Sequence, residues 1–405
     1  MVPATSFNGL VVVCLIAVAA PLLLSLARGL RVPSVVAEIG AGILVGPSGL
    51  GLVQVDQAIR LLSLLGLAFL LFAAGLEIDA RALRGRSLRL SVIGFAGSFA
   101  LALAVGGTLQ AAGLVGDATF IAIVLSATSL GVIVPVLKDA GESASPFGQL
   151  VLAASSIADF GAIVLLSLLF SRDSSGIGAQ LILIGGFAAA IAAVGFVIAR
   201  TGRTMVLSGV LVRLQDTTAQ IRVRLAWLLL VALVALAAKL GLEVILGAFA
   251  AGVLLGVVDR DEQMTHPQFH TKLDGAAFGI FVPVFFVTTG LRFDLDALTG
   301  SASTLALVPI LLLALAAARG LPALLYRVSR RRTIAAGLLQ ATSLPFIAAA
   351  SQIGVELGIV TPGVAAALVG AGLASVLVFP AAAVALLRPS ADPTPHATPI
   401  LGGTR

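Results

Sequence analysis

Residues Ala127–Ile133 read ATSLGVI, and residues Ala341–Ile347 read ATSLPFI. The two stretches lie 214 residues apart and agree at five of seven positions. Each sits inside a long apolar run, and each couples a Thr-Ser pair to a helix breaker. A helix needs roughly 20 apolar residues to cross the hydrocarbon core of a bilayer. Within that core every backbone N–H and C=O must find a partner. A polar, helix-breaking segment at that depth is costly, so its appearance in both halves of the chain calls for a structural reason.

The surrounding composition makes the membrane the solvent. Of 405 residues, 59% are hydrophobic and only 11% charged, and the mean hydropathy is +1.13. Soluble domains carry about 25% charged residues, so this chain has too little polar surface to coat a water-soluble globule. Apolar runs of spanning length recur from end to end, and the alternation of a β-barrel is missing from the sequence. The expected fold is an all-α polytopic membrane protein of about 13 transmembrane helices, filling residues 1–387. A mixed polar and apolar stretch at 201–220 reads as a linker helix between two halves. The Pro-rich end, 388–405, reads as a disordered cytoplasmic tail.

Lone Cys14 excludes an intrachain disulfide and a cysteine metal cluster. His266 and His270 have the spacing of half a metal site but lack a third ligand nearby, and they read as part of a solvated loop. The pI of 10.6 reads as arginine marking cytoplasmic loops, and no nucleic-acid partner is expected. Alternate loops, beginning with Arg28 and Arg31, hold twenty of the 25 Lys and Arg; the intervening loops hold Arg60, Arg172, Lys239 and Arg292. This bias places the N-terminus outside and the C-terminus in the cytoplasm of a cell membrane. Arg319 is the one basic residue left, and it falls inside a span.

The two ATSL segments fall in spans near 118–137 and 333–353, seven helices apart. An odd offset gives them opposite orientations, as in the inverted repeats of secondary transporters. Thr128, Ser129, Leu130, Gly131 and Pro135 are expected to interrupt the first span; Thr342, Ser343, Leu344 and Pro345 the second. Such a break can be a simple kink, with Thr and Ser bonding back to the helix. It can also free carbonyls and half-helix ends that hold an ion. Asp159, mid-span in LAASSIADFGAIVLLSLLF, is an intramembrane carboxylate and therefore a functional candidate. Ser155 and Ser156 lie one turn before it and share its helical face. They could ligate a cation or solvate the acid. Arg319 reads as part of the site or as a side chain snorkelling to the interface. Glu38 lies near the interface of the second span, in a structural or supporting role. Glu77, Asp79 and Arg81 read as a solvated loop, and Lys239 with Glu243 as an exposed i,i+4 pair.

Five segments, in order, resemble the monovalent cation:proton antiporter-2 family, the Kef-type and bacterial Na+/H+ antiporter group. They are VVAEIGAGILVGPSGLGL (35–52), LGLAFLLFAAGLEIDARAL (65–83), ATSLGVIVPVLKDAG (127–141), LGLEVILGAFAAGVLLG (240–256) and FVPVFFVTTGLRFDL (281–295). The resemblance covers about residues 9–387. It implies a core domain with two crossed broken helices beside a dimerisation domain, and hence a homodimer embedded in lipid. It places the ion-binding carboxylate on Asp159, the family's basic residue on Arg319 and the first unwound segment on Thr128 and Ser129. Many sodium/proton members carry paired acids where this chain has Ala158 then Asp159. Many relatives carry Arg-Gly-Glu-like or Gly-Gly-Glu-like runs where this chain has Ser343-Leu344-Pro345, which leaves the choice of cation open. The dinucleotide fingerprint of an appended nucleotide-binding domain is absent from the sequence, and no cofactor is expected.

The expectation is then a secondary antiporter in which Asp159 binds either one proton or one Na+ or K+. Thr128, Ser129, Ser155 and Ser156 supply hard oxygen ligands, with Arg319, Thr342, Ser343 and Glu38 in support. One carboxylate exchanging one monovalent cation for one proton moves no net charge, and arginine carries no second exchangeable proton. Electroneutral exchange follows, with Na+ favoured and K+/H+ exchange or Kef-like K+ efflux as the alternative. A non-transporting membrane sensor or subunit on the same fold is the reading from another class. HExxH and GxSxG motifs are missing from the sequence, so an enzyme is not expected.

Overall fold

The computed structural model describes residues 7–26, 33–77, 85–170, 176–201, 220–259 and 267–387. All regular structure among them is helical. Among the described residues, nine helices are long and apolar enough to cross a membrane, and four shorter apolar helices accompany them. The linker expected at 201–220 falls almost wholly outside the described residues, as do His266, Asp79, Arg81 and the tail at 388–405.

The helices sort into two groups. The first contains α1 (Phe7–Leu26), α2 (Ser34–Val45) and α3 (Gln57–Leu76) from the first half of the chain. Helix α8 (Gly176–Thr201) follows the first repeat and touches both groups. From the second half come α9 (Ile221–Lys239), α10 (Val244–Asp259), α11 (Pro267–Ala276) and α12 (Val282–Leu291), which belong to the first group. Glycines set its close crossings. A Cβ on Gly75 of α3 would strike the carbonyl of Phe249 on α10, and one on Gly252 of α10 would strike that of Phe72. Gly42 of α2 and Gly290 of α12 stand in the same relation to the carbonyls of Val287 and Ile39. In lipid, helix association rests on such close packing, because the tails offer no hydrophobic driving force.

Between α11 and α12 lies a wide π-turn, Ala277–Phe281. Pro283, at the start of α12, explains it: a proline ring clashes with the carbonyl four residues earlier, and the wider turn relieves the clash.

The second group comprises α4 (Gly85–Ala111), α5 (Ala118–Ser126), α6 (Leu130–Asp139) and α7 (Pro146–Leu169), then α13 (Leu295–Thr299), α14 (Ala302–Gly320), α15 (Arg330–Gln340), α16 (Pro345–Glu356) and α17 (Pro362–Leu387). A short 3₁₀ turn, Leu321–Tyr326, follows α14. Side chains start several of these helices by accepting orphan amides. Asp117 accepts from Phe120 at 2.7 Å, Ser145 from Gly148 at 3.0 Å and Ser301 from Thr304 at 3.1 Å.

Two spans in this group are broken. The first breaks at Ala127–Ser129, between α5 and α6; the second at Ala341–Leu344, between α15 and α16. Gly131 and Pro135, expected in the first break, lie inside α6 instead. The Thr128 amide freed here finds a partner on α7, and the break contains no proline. The second break does adjoin its proline, since Pro345 opens α16 at a position where a missing N–H costs nothing.

Ion pairs at the two ends match the alternation of loops read from the sequence. Arg332 pairs with Glu142 at 2.9 Å at the end rich in arginine, and Arg60 approaches Glu356 at 3.9 Å at the other. Glu243 departs from expectation. It is 4% exposed, and its amide donates to Ser167 Oγ of α7 at 3.3 Å; only Lys239 of that pair is exposed. The i,i+4 spacing does not fix exposure here, because Glu243 follows the end of α9 and turns under α7.

Candidate functional site

Asp159 lies near the middle of α7 and is 7% exposed. Its Oδ1 accepts the backbone N–H of Thr128 at 3.1 Å. The carboxylate thus satisfies an amide freed by the first break, in the manner of an N-cap for α6, where the helix dipole favours negative charge. The Thr128 hydroxyl points across to the second break. It donates to the carbonyl of Gln340 at 2.6 Å and lies 3.2 Å from that of Thr342. One residue therefore ties together the amide end of one broken helix, the carbonyl end of the other and the buried acid.

A cavity of about 60 Å³ adjoins this crossing. Asp159, Thr128 and Ser129 line it, with Leu130 and Pro345 from the first turns of α6 and α16. Its far wall belongs to the first group of helices: Leu70–Leu71, Ala73–Ala74 and Glu77 of α3, and Phe278 of the π-turn. The volume suits a small ion with few waters. Asp159 is thus at the seam between the two groups, next to both interruptions.

The other expected residues divide. Arg319, at the end of α14, is 1% exposed and donates through Nη1 to Ser98 Oγ of α4 at 3.0 Å. It is buried in the second group and does not snorkel. Among the described residues its Nε and Nη2 meet no hydrogen-bond partner. Ser156 back-bonds to the Leu152 carbonyl at 2.9 Å, so its proton is committed to its own helix. Ser155 is fully buried, and its hydroxyl has no partner among the described residues. Thr342 also back-bonds, to Leu338 at 3.0 Å. The Ser343 amide donates to Ser375 Oγ of α17 at 3.1 Å, while its own hydroxyl is buried without a partner. Glu38 is buried on α2, which packs mainly on α1 and α12, and it is not on the cavity wall.

Two participants escape a reading of the sequence. Glu77 caps the end of α3 and reaches the cavity wall; as the last residue before a charged loop it carries no signal of that contact. Ser375, fully buried in α17, also accepts its amide bond from the second break, and it donates to the Gly372 carbonyl at 2.7 Å. Among the described residues no group of three metal-ligating side chains occurs.

A family model described as "Sodium/hydrogen exchanger, transmembrane" matches residues 14–388. The chain belongs to that family. Among similar proteins, "Putative Na(+)/H(+) antiporter YjbQ" of Bacillus subtilis is 34% identical over 385 residues, covering 90% of this chain and 60% of the relative. "K(+) efflux antiporter 1, chloroplastic" of Arabidopsis thaliana is 31% identical over 349 residues, covering 82% of this chain and 28% of the relative. The chain thus spans less than two thirds of the length of either protein. The solved structure of the sodium proton antiporter MjNhaP1 from Methanocaldococcus jannaschii superposes with a TM-score of 0.64, covering 94% of this chain and 97% of that one at 17% identity. The apolar helices and this membership together make the chain a multi-pass membrane protein.

Proposed function

We propose that the protein is a secondary antiporter exchanging a monovalent cation, Na+ in preference, for H+, with Asp159 as the shared site. The observation that carries this reading is the buried Asp159 carboxylate, bonded to the first break and lining a small cavity with the N-terminal turns of both half-helices. A lone carboxylate in a tight, partly apolar cavity can hold a proton or a cation but not both, and competition for it couples the two fluxes. Hard oxygens suit these ions: the Asp159 carboxylate, the lone pairs of the Thr128 and Ser129 hydroxyls, and Ser155 one turn away. Ser156 contributes at most an acceptor, since its proton is held by Leu152. Arg319 supplies fixed positive charge to the same buried region and takes no part in proton exchange. Movement of the second group against the first then exposes the site to alternate sides.

In this reading exchange is electroneutral, one cation for one proton. The arginine-rich ends face the cytoplasm of a cell membrane and the N-terminus lies outside. The exposed apolar residues along α1 (Val11, Leu15, Val18 and Leu22) face lipid or a second copy of the chain. The kinship with a K+ efflux antiporter supports K+/H+ exchange as the second reading.

Purified protein in proteoliposomes with an internal pH dye tests the proposal. Na+, Li+ and K+ gradients should each be compared for wild type and Asp159→Asn. Wild type is expected to move protons in response to Na+ more than to K+, and Asp159→Asn is expected to match empty vesicles. Normal exchange by Asp159→Asn sinks the shared-site mechanism. A reproducible current driven by a cation gradient alone sinks the one-for-one stoichiometry.

A further inference from the structure

A second and larger cavity, about 280 Å³, lies at the end of the molecule away from the arginine-rich loops. Thr289, Arg292, Asp294, Ser351, Gln352 and Glu356 supply its polar wall. It backs onto the same helix as the Asp159 cavity. Pro345 and Phe346, at the start of α16, face the inner cavity; Ala348, Ser351, Gln352 and Glu356 face the outer one. The whole helix, 12 residues, is about 18 Å long at roughly 1.5 Å per residue. The two cavities are therefore consecutive stations along one element, separated by less than a turn.

Among the described residues, the polar links across the outer cavity join the two helix groups. Arg292, just past α12, donates through Nη1 to Gln352 Oε1 of α16 at 3.2 Å. Gln352 in turn donates through Nε2 to Thr289 Oγ1 of α12 at 3.2 Å. Glu356 of α16 lies 3.9 Å from both Arg292 and Arg60 of α3. Those ion pairs are long and partly exposed, and such pairs contribute little. The hydrogen-bonded chain Arg292–Gln352–Thr289 is the stronger connection, because one of its bonds has a charged donor. Ser351 lines the same cavity with a buried hydroxyl that has no partner among the described residues, as expected of a surface that takes a water or an ion.

We infer that Arg292, Gln352 and Thr289 are positioning residues for exchange: they latch the two helix groups together on this face and close the outer half of the cation path, whose vestibule is the Ser351 cavity. The inference rests on the antiport reading for its purpose and on that orientation for the name of the face, which is the extracellular one. The latch must part when Asp159 opens outward. Its strength sets how much of the protein waits facing the cytoplasm.

Thiol labelling tests this without measuring ion flux. In a Cys14→Ser background, Ser351→Cys places a thiol on the vestibule wall. A membrane-impermeant maleimide applied from the N-terminal side reads its accessibility. Arg292→Met and, separately, Gln352→Ala are expected to raise the labelling rate about tenfold, the scale of one hydrogen bond to a charged group. Arg292→Lys keeps the charge without the planar fork and is expected to fall between wild type and Arg292→Met. Thr289→Val removes only the last acceptor. It serves if the stronger variants fail to fold, with an expected rise of about two- to threefold. In flux assays the same variants are expected to lower the apparent KM for the cation on this face and raise it on the opposite one, a split that general loss of stability does not produce. An unchanged labelling rate in the folded variants overturns the latch. So does an equal rise in Arg332→Ala, which breaks the pair with Glu142 at the far end. Failure of wild type to exchange ions sinks the antiport reading and leaves the labelling result to be judged by itself.

Discussion

The two breaks are built alike and occupied differently. In each, a side chain from the helix that follows reaches back to accept an amide that the interruption has freed: Asp159 of α7 takes that of Thr128, and Ser375 of α17 takes that of Ser343. The bonds measure 3.1 Å in both cases and span 31 and 32 residues. The first acceptor carries a carboxylate and stands on a cavity. The second is a fully buried hydroxyl that donates to the Gly372 carbonyl at 2.7 Å and lies 3.1 Å from that of Ser343. The inverted repeat therefore supplies one structural device twice; in the proposed reading the chemistry enters through the copy with the carboxylate, and the hydroxyl of the other serves as frame.

This asymmetry can be broken by giving both copies the same truncation. Asp159→Ala is expected to bring exchange down to the level of empty vesicles. Ser375→Ala is expected to leave substantial exchange, at a cost of about 1–3 kcal/mol for the buried amide and carbonyl left unpaired, read as a lower melting temperature in detergent. Equal loss of exchange in both variants would dissolve the distinction between site and frame.

The acid side has a second consequence, in pH. If protons and cations compete for one carboxylate, acidification below its titration range raises the apparent KM for Na+ by about tenfold per pH unit with kcat unchanged. A KM that stays flat while kcat falls points to separate proton and cation sites.

Arg319 sharpens the comparison further, because it comes from the end of α14, ahead of the second break, yet is bonded to Ser98 of α4, the helix ahead of the first. Arg319→Met is expected to cost about 3–5 kcal/mol, the scale for stripping one partner from a buried charge, and the loss should shrink in the double variant Arg319→Met/Asp159→Asn. Additive losses would show that the two charges do not feel one another.

The smallest effects are expected at the hydroxyls. Thr128→Val keeps the amide bond to Asp159 but removes the tie to Gln340 and Thr342, for about 1 kcal/mol and a moderate fall in exchange. Ser156→Ala is expected to change neither stability nor transport measurably, because its bond runs to its own helix. A large loss of cation affinity in Ser156→Ala would return it to the ligand set.

Much of this was legible in the sequence because the membrane removes alternatives. An acid in the middle of an apolar span, and a Thr-Ser pair repeated at matching depth, have few inexpensive explanations in lipid. Asp159, Thr128 and Ser129 were found on that ground, and the structure brings them to one cavity. What escaped were residues whose role depends on three-dimensional neighbours. Ser375 is one hydroxyl among many in small-residue helices. Ser156 shares a face with Asp159, but a shared face does not set a rotamer. Arg292 figured only in the charge balance of its loop, since its partners on α16 lie about sixty residues away. The first break was assigned too long because glycine and proline weaken helices in general, while Gly131 and Pro135 here are carried within α6.

The glycine crossings of the first group have a mechanical corollary. Where Gly75 meets Phe249, Gly252 meets Phe72, and Gly42 and Gly290 meet opposing backbone, the chains already touch peptide to peptide, and no side chain remains between them to swing aside. The pairs α3 with α10 and α2 with α12 are thus each seated backbone on backbone. Under the proposed exchange they form the anvil of the device, and the stroke that carries Asp159 from one side of the membrane to the other falls to its opposite number.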